Sequence, residues 1–524
     1  MKKNNYLLIP AVAISFCLSS CRSTDTDKVL DSGPAAVKVN LVSTEFEDGD
    51  SSSLQAKVSL GGDILNASEK QAVLITPGMV VVSELSSLPK ELKNSAQVSK
   101  GLNVQAAIPG ASMVSGRMFR IIAYRSSDGS YQTHQDYIIG QPGVAMALDG
   151  GVSYDMVVYS YNSATLPVIS SGEKSNIGSA IVSYDDTNRD FLYKKISGFT
   201  PTGGVNNTLN ITLKHLFTEI TAKLVSNAGN ITGVSNAVIS PHNTGGTIAL
   251  LGGAITRSNS NSTAITFLSG SAALTQTSNA TMVNGNGTSS FSATVSLAGG
   301  IPVRNLNYTN SFSVTPGTQK LLTVNIQRCG AIVNGAFKEF MCHNLGATNT
   351  ADPFTAAAAI HGNKYQWGSW GDTVKEGIEW YSQSHDQSNS GAISGWRQSA
   401  IGSDAWGTDT TKGTYDPCPS GYRVPTSAQW QSVINSNSVS RVGTWTSSST
   451  NYGSGIQFGN YLFLPAAGYR YALSGTLNER GSNGYYWSTS VSGSYVMSIS
   501  FSNSSVSVGN ANGTSGDSVR CIAE

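Results

Sequence analysis

Charge is scarce in this chain of 524 residues. Asp, Glu, Lys and Arg together make up 12%, about half of the usual ~25%. The net charge of +1 leaves no basic stripe to neutralise phosphates, which argues against nucleic acid as a partner. Tryptophan is absent before Trp367, although there are eight in all. No HExxH, GxSxG, Walker-type loop or paired-cysteine zinc motif occurs, so nothing points to an enzyme, a metal or a cofactor. Asp186-Thr-Asn-Arg-Asp190 begins like a calcium loop. Phe191 stands where that loop needs glycine and Ser197 where it needs its bidentate Glu, so a turn is expected.

What is present reads as β-structure outside a cell. Gly occupies 55 positions, and with abundant Ser, Thr and Asn it suits turn-rich β-domains; Val, Ile, Leu and Tyr alternate too regularly for disorder. Met1-Lys-Lys is a short basic start, and the apolar run Tyr6 to Leu18, broken only at Pro10 and Ser15, is too short to span a bilayer. It has the layout of an export signal. Leu18-Ser-Ser-Cys21 resembles the lipobox of bacterial lipoproteins, which implies a signal over 1–20 and a lipid on Cys21. Residues 21–34 then form a polar tether, and the chain is held to the outer membrane, at the cell surface, by lipid alone.

Cysteine usage agrees with that location. Cys17 lies in the signal, and Cys329, Cys342, Cys418 and Cys521 all fall in the last 200 or so residues. An even number in an exported domain favours two disulfides. Three pairings are open. Cys329–Cys342, across a hairpin centred near Asn334-Gly335, is favoured with Cys418–Cys521. A metal site is the alternative, but no CxxC or clustered His accompanies these cysteines.

Cysteine and tryptophan both change usage near Gln327, so two kinds of domain meet there. Before it, strands are expected at Ala36–Val42, Arg117–Arg125 and Tyr154–Tyr161, with Ser126-Ser-Asp-Gly-Ser130 as a turn. Phe199-Thr-Pro-Thr-Gly-Gly204 marks a break, giving units 35–200 and 201–327. Ile211, Leu213, His215 and Phe217 share one strand face, while Ile220, Ala222 and Leu224 continue in the other phase. A bend or bulge near Thr218-Glu219 reconciles them, and His215 is expected in the core. Leu321–Gln327 is expected to close the second unit. The lipobox, RMFRIIAYRSSDGSY, YDMVVYSYN and TLNITLKHLFTEITAKL, in this order, resemble the fimbrillin-like family of Bacteroidetes lipoproteins. The resemblance spans about residues 35–327 and implies two transthyretin-like or immunoglobulin-like β-sandwich domains in a pilus subunit assembled by strand exchange. Such subunits are cleaved at an early arginine; here no arginine lies between Arg22 and Arg117.

After Arg328 five separated motifs come in order: FMCHNLGA, GNKYQWG, CPSGYRVP with Gln429-Trp430, YYWS and SVRC. Together they resemble the Fibrobacter succinogenes major paralogous domain, which implies an α+β C-type-lectin-like fold over 328–524, related in shape to formylglycine-generating enzymes. Pro425-Thr426-Ser427 is a good helix start, with Thr or Ser as cap. Trp430 and Trp487 are expected in the core. Between Trp367 and Cys418 lie Trp370, Trp380, Tyr381, Trp396 and Trp406 among Gly, Ser, Asp and Gln. These five are the candidate ligand-binding residues, since aromatic faces flanked by amides and carboxylates suit a glycan or protein surface; the alternative is a satellite core. The chain as a whole reads as mainly β and as a pilus-tip or pilus-associated adhesin. Its partners would be other pilus subunits and a glycan or surface-protein ligand. A structural pilus or surface-layer subunit, or a carbohydrate-capture lipoprotein of a polysaccharide-utilisation system, is the alternative.

Overall fold

The computed structural model describes residues 33–47, 69–88, 113–268, 271–299, 301, 304–369, 380–399, 402 and 405–524. The expected signal, Cys21, most of the tether and Trp370 lie outside the described residues. The protein is mainly β. In chain order the first strands are β1 (Gly33–Glu45), β2 (Glu69–Thr76), β3 (Met79–Ser87), β4 (Met118–Arg125), β5 (Tyr131–Ile138) and β6 (Met146–Gly150). Next come β7 (Tyr154–Ser160), β8 (Ile181–Ser183), β9 (Leu192–Phe199), β10 (Asn206–His215), β11 (Thr218–Ser226) and β12 (Ile231–Ala249). β13 (Ile255–Ala264), β14 (Thr275–Thr277), β15 (Thr281–Val283), β16 (Gly287–Leu297), β17 (Arg304–Val314) and β18 (Gln319–Arg328) follow.

A seven-stranded sheet in the order β5-β4-β7-β9-β10-β1-β6 forms the first unit. Alternate residues of its strands, among them Val37, Ile121, Tyr137, Leu148, Met156, Leu192 and Ile211, enter one common core. The sheet therefore curls round its own apolar face. Its two edges approach each other where Gln135 Nε2 and Tyr137 Oη both donate to the Val144 carbonyl, just ahead of β6. The outer face of β4 and β7 is also buried: Ile122, Tyr124, Val157 and Tyr159 are covered by Ile177, Val182, Tyr184 and Phe191 from the β7–β9 connection.

The second unit has two facing sheets, one ordered β14-β11-β18-β3-β2 and the other β13-β12-β16-β17, with β8 added beside β12. Val81, Ala222, Leu224, Leu322 and Val324 from the first meet Ile239, Phe291, Val295, Tyr308 and Phe312 from the second in a single core. Each Val, Leu, Ile or Phe side chain among them contributes about 1.5–3 kcal/mol on burial.

Strand pairing does not follow the expected division at residue 200. The hairpin β2–β3 pairs with β18 of the second unit, Leu85 standing opposite Leu322, while β10 belongs to the first unit's sheet beside β1 and β9. Leu321–Gln327 lies within β18, the last strand of the second unit as expected, and β18 sits inside its sheet between β11 and β3. The phase change after His215 has the same cause. β10 ends there, the chain bends at Phe217, and β11 starts at Thr218 in a different sheet, so the expected bend is present as a crossing between units and no bulge is needed. Alternation reports that one strand face is buried; it carries no information on which strand lies alongside.

From Gly330 onward short strands dominate, with helices α1 (Gln383–Ser388) and α2 (Ser427–Ser436). Thr426 caps α2 in a capping box with Gln429, the helix start expected from the sequence. Tyr422–Arg423 pairs antiparallel with Ile522–Ala523, and the disulfide Cys418–Cys521 locks the same two segments. Asp416 accepts the backbone N–H groups of Cys418 and Val424, each at 2.9 Å. The other disulfide joins Cys329 to Cys342, so both favoured pairings are present.

Candidate functional site

Tryptophan placement decides which part of the C-terminal module can face a partner. Trp406 and Trp396 are buried, contrary to their expected role at a ligand surface. Trp406 packs edgewise against Trp367 and Trp487, and its Nε1 donates to the Ser369 carbonyl at 2.9 Å. Trp396 donates to the Thr514 carbonyl at 3.0 Å and lies under Gly475 and Gly516, where any Cβ would strike its ring. An indole is large and apolar with a single donor, so a buried carbonyl satisfies it completely. Trp430 and Trp487 are core residues, as expected.

Trp380 and Tyr381 remain at the surface, half-buried. They form a two-residue strand that pairs with Lys364–Tyr365 and leads into α1. Trp380 stacks on Tyr365, with ring centroids 6.3 Å apart. The Tyr381 ring carries the Arg470 guanidinium at 4.9 Å on one side and approaches the exposed His385 ring at 5.5 Å. Its hydroxyl accepts from Asn389 Nδ2 at 3.2 Å. Ser382 caps α1, its Oγ lying 2.8 Å from His385 Nδ1. Trp380, Tyr381, Ser382, His385 and Asn389 thus offer two aromatic faces with hydroxyl, imidazole and amide groups beside them.

A helix of six residues cannot hold itself together in water. Buried charge fixes it instead. Asp386, on its inner side, binds Arg470 Nε at 2.7 Å and also pairs with Arg480, and all three side chains are almost wholly excluded from solvent. Arg470 further donates to the carbonyls of Asn389 (2.6 Å) and Gly475 (3.1 Å), and Arg480 to that of Ser449 (2.7 Å). Gln383 adds two bonds, its N–H to Asn363 Oδ1 and its Oε1 from the Gly362 N–H, both 2.8 Å. None of these three charges was singled out from the sequence. The available signal was an arginine such as Arg470 inside the apolar run FLPAAGYRYAL of a charge-poor chain, where a charge needs a partner.

More buried charge lies beneath. Lys364 is fully buried and donates to Gly468 O and Ser518 Oγ, both at 3.0 Å; burial brings its pKa down to about 8. Burial likewise pushes the Asp517 carboxyl up to about 7, against the opposing pull of Lys364. His361 is held neutral by burial and by the nearby Lys364 and Arg480 charges. Among the described residues no three His, Cys, Asp or Glu side chains gather as a metal ion would require. No described helix is long and apolar enough to cross a membrane.

No family model matches the chain, and no curated protein matches it. Solved structures similar to it include a candidate cell adhesion protein from Bacteroides uniformis, at 14% identity and a TM-score of 0.29, covering 40% of this chain and 86% of that one. Another candidate cell adhesion protein, from Bacteroides fragilis, shares 12% identity at a TM-score of 0.28 and covers 58% of this chain and 95% of that one. A fimbrial assembly protein from Parabacteroides distasonis shares 9% identity at a TM-score of 0.27, over 43% and 86% of the two chains. These scores are low, and the functional reading rests on the chain's own residues.

Proposed function

We propose that this protein is a cell-surface adhesin, held by a lipid on Cys21 and associated with a pilus, whose C-terminal module binds a glycan or surface protein through Trp380, Tyr381 and His385. One observation carries the reading: a six-residue helix is fastened from beneath by the buried Asp386–Arg470–Arg480 cluster while its outer side presents aromatic and polar groups. A preformed face of this kind loses little entropy on binding. No catalytic step is part of the reading. The β-units and the pilus association come from the fimbrillin-like resemblance of residues 35–327, and the lectin-like module from the five motifs after Arg328.

The test is capture of the full chain on an array of glycans, mucins and matrix proteins, followed by Tyr381→Ala and Trp380→Ala. Each substitution is expected to weaken capture at least about tenfold, as truncation of a central aromatic anchor worth about 2 kcal/mol does, with each variant first shown by its unfolding curve to be folded under the capture conditions. Absence of any captured ligand, or full binding by the Trp380→Ala/Tyr381→Ala double variant, would sink the adhesive role. Labelling of the whole cell-surface fibre, rather than its tip, by an antibody to the last domain would favour a structural subunit.

A further inference from the structure

A cavity whose lining includes no residue of the tryptophan insert lies between the two β-units. The cavity, of about 280 Å³, is lined by residues just after β1 (Glu47), at the end of β10 (Lys214, His215), at the start of β13 (Ile255, Arg257) and in the turn before β18 (Pro316, Gly317). Four separate segments meet there, two of them tied by the Glu47 N–H to Gly317 O bond of 2.7 Å. His215, expected in the core, forms one wall. Its ring stacks on Phe46 with centroids 3.7 Å apart, and its Nδ1 lies 2.6 Å from Asp190 Oδ1, which fixes its orientation.

One cation of this cavity stands without a partner among the described residues. Lys214 Nζ stands 3.4 Å from Glu47 Oε1, so those two neutralise each other. Arg257 has no carboxylate among the described residues. Its Nε and Nη2 are closed off from solvent without any hydrogen-bond partner, and burial lowers its pKa. A desolvated guanidinium lacking a counter-charge is destabilising, and an anion arriving at its open side offsets that cost.

We infer that this inter-unit cavity is a binding site for a small monocarboxylate of about monosaccharide size, with Arg257 as the principal cation. The size follows from a volume at the lower end of ligand pockets, about 300 Å³. The single charge follows from the pairing around the cavity: Lys214 is matched by Glu47 and His215 by Asp190, which leaves Arg257 as the cation to be met, and a second negative charge would be repelled by the Glu47 carboxylate. Leu216, Ile255 and Pro316 supply the apolar contact, and the His215 ring supplies a polar edge for a hydroxyl.

Ligand-observed NMR on the full chain tests this with glucuronate, uncharged glucose and doubly charged glucose 6-phosphate as probes. Glucuronate is expected to bind, glucose not, and the phosphate more weakly than glucuronate. Arg257→Gln is expected to cost at least about tenfold in glucuronate affinity, as expected for a charge-assisted hydrogen bond. Lys214→Gln should cost less because that ammonium is partly exposed and already paired with Glu47. Glu47→Gln should tighten binding by removing a like charge, a gain that a misfolded variant would not show. Equal binding of glucose refutes the assignment, as does unchanged affinity in Arg257→Gln or loss of affinity in Glu47→Gln. Tighter binding of the phosphate refutes the monocarboxylate class.

Discussion

Replacing Asp386 by alanine tests the buried charge that holds the proposed contact face. The carboxylate and both guanidinium groups are almost wholly excluded from water. Removing one partner of such a cluster costs about 3–5 kcal/mol, because the remaining charges stay buried and uncompensated. Arg470 keeps the Asn389 and Gly475 carbonyls and Arg480 keeps that of Ser449, which argues for the lower end, about 3 kcal/mol. All eight tryptophans lie between Trp367 and Trp487, so indole fluorescence during urea unfolding of the full chain reports on the C-terminal module alone. With a denaturant slope of about 1–3 kcal/mol per molar, the midpoint should fall by about 1–3 M. Asp386→Asn should fall between wild type and alanine, since an amide oxygen still accepts from Arg470 Nε. An alanine variant whose midpoint does not move would refute the role given to this cluster, and with it the account of why so short a helix is ordered.

Three further outcomes follow from the same contacts. Asp517, with its pKa raised to about 7 by burial, holds its proton more tightly folded than unfolded. Its contribution is therefore full in acid and is lost as pH rises toward about 7, so tryptophan-reported stability should decline over pH 4–7, roughly, and Asp517→Asn should flatten that stretch. Removing the Cys418–Cys521 disulfide, whose partners are 103 residues apart, should cost about 4.7 kcal/mol in the same assay on the chain-entropy model, against about 3 kcal/mol for the shorter Cys329–Cys342 loop; equal losses would contradict that model here. Val80→Asp puts a charge on the buried outer face of β3, against Cys329 and Cys342, and should raise the radius of gyration in small-angle scattering while the Val81 side of the sandwich core stays folded; an unchanged radius would contradict the packing of the C-terminal module on this hairpin.

Much of this fold was legible because local chemistry determines it. The Thr426 cap, the Cys418–Cys521 closure and the β11 alternation of Ile220, Ala222 and Leu224 each need only a few neighbouring residues or a pair of cysteines to be read. What escaped depends on partners remote in the chain. Nothing in the residues of β3 says that it pairs with β18, more than 230 residues later by the Lys320–Ser87 register. Trp396 and Trp406 look alike in sequence to Trp380, with the same Gly- and Ser-rich surroundings. Their burial is decided by the carbonyls of Thr514 and Ser369 and by two glycines that leave room for a ring. Asp386, Arg470 and Arg480 are 84 and 94 residues apart, so their charges pair in space without any motif.

The Cys329–Cys342 disulfide illustrates how a local reading can be right in its pairing and too narrow in its role. It closes a hairpin, and it is also the seat on which another part of the molecule rests. The Cys329 and Cys342 N–H groups donate to Gly78 O at 2.9 Å and Pro77 O at 2.7 Å, in the turn of the β2–β3 hairpin. Ala72, Val80 and Val82, on the outer face of that hairpin, pack on the two sulfurs' residues and on Phe354. Glu339, which accepts from the Tyr422 hydroxyl, occupies the space that any side chain on residue 78 would need. The C-terminal module is therefore fixed to the second β-unit at two places, the covalent link after Arg328 and this turn. A module tethered at one point swivels; one seated at two holds its outward face in a set direction. The hairpin that supplies the second point also pairs with β18, whose last residue leads into Cys329. Force carried along β18 is thus shared between the chain itself and the strand beside it.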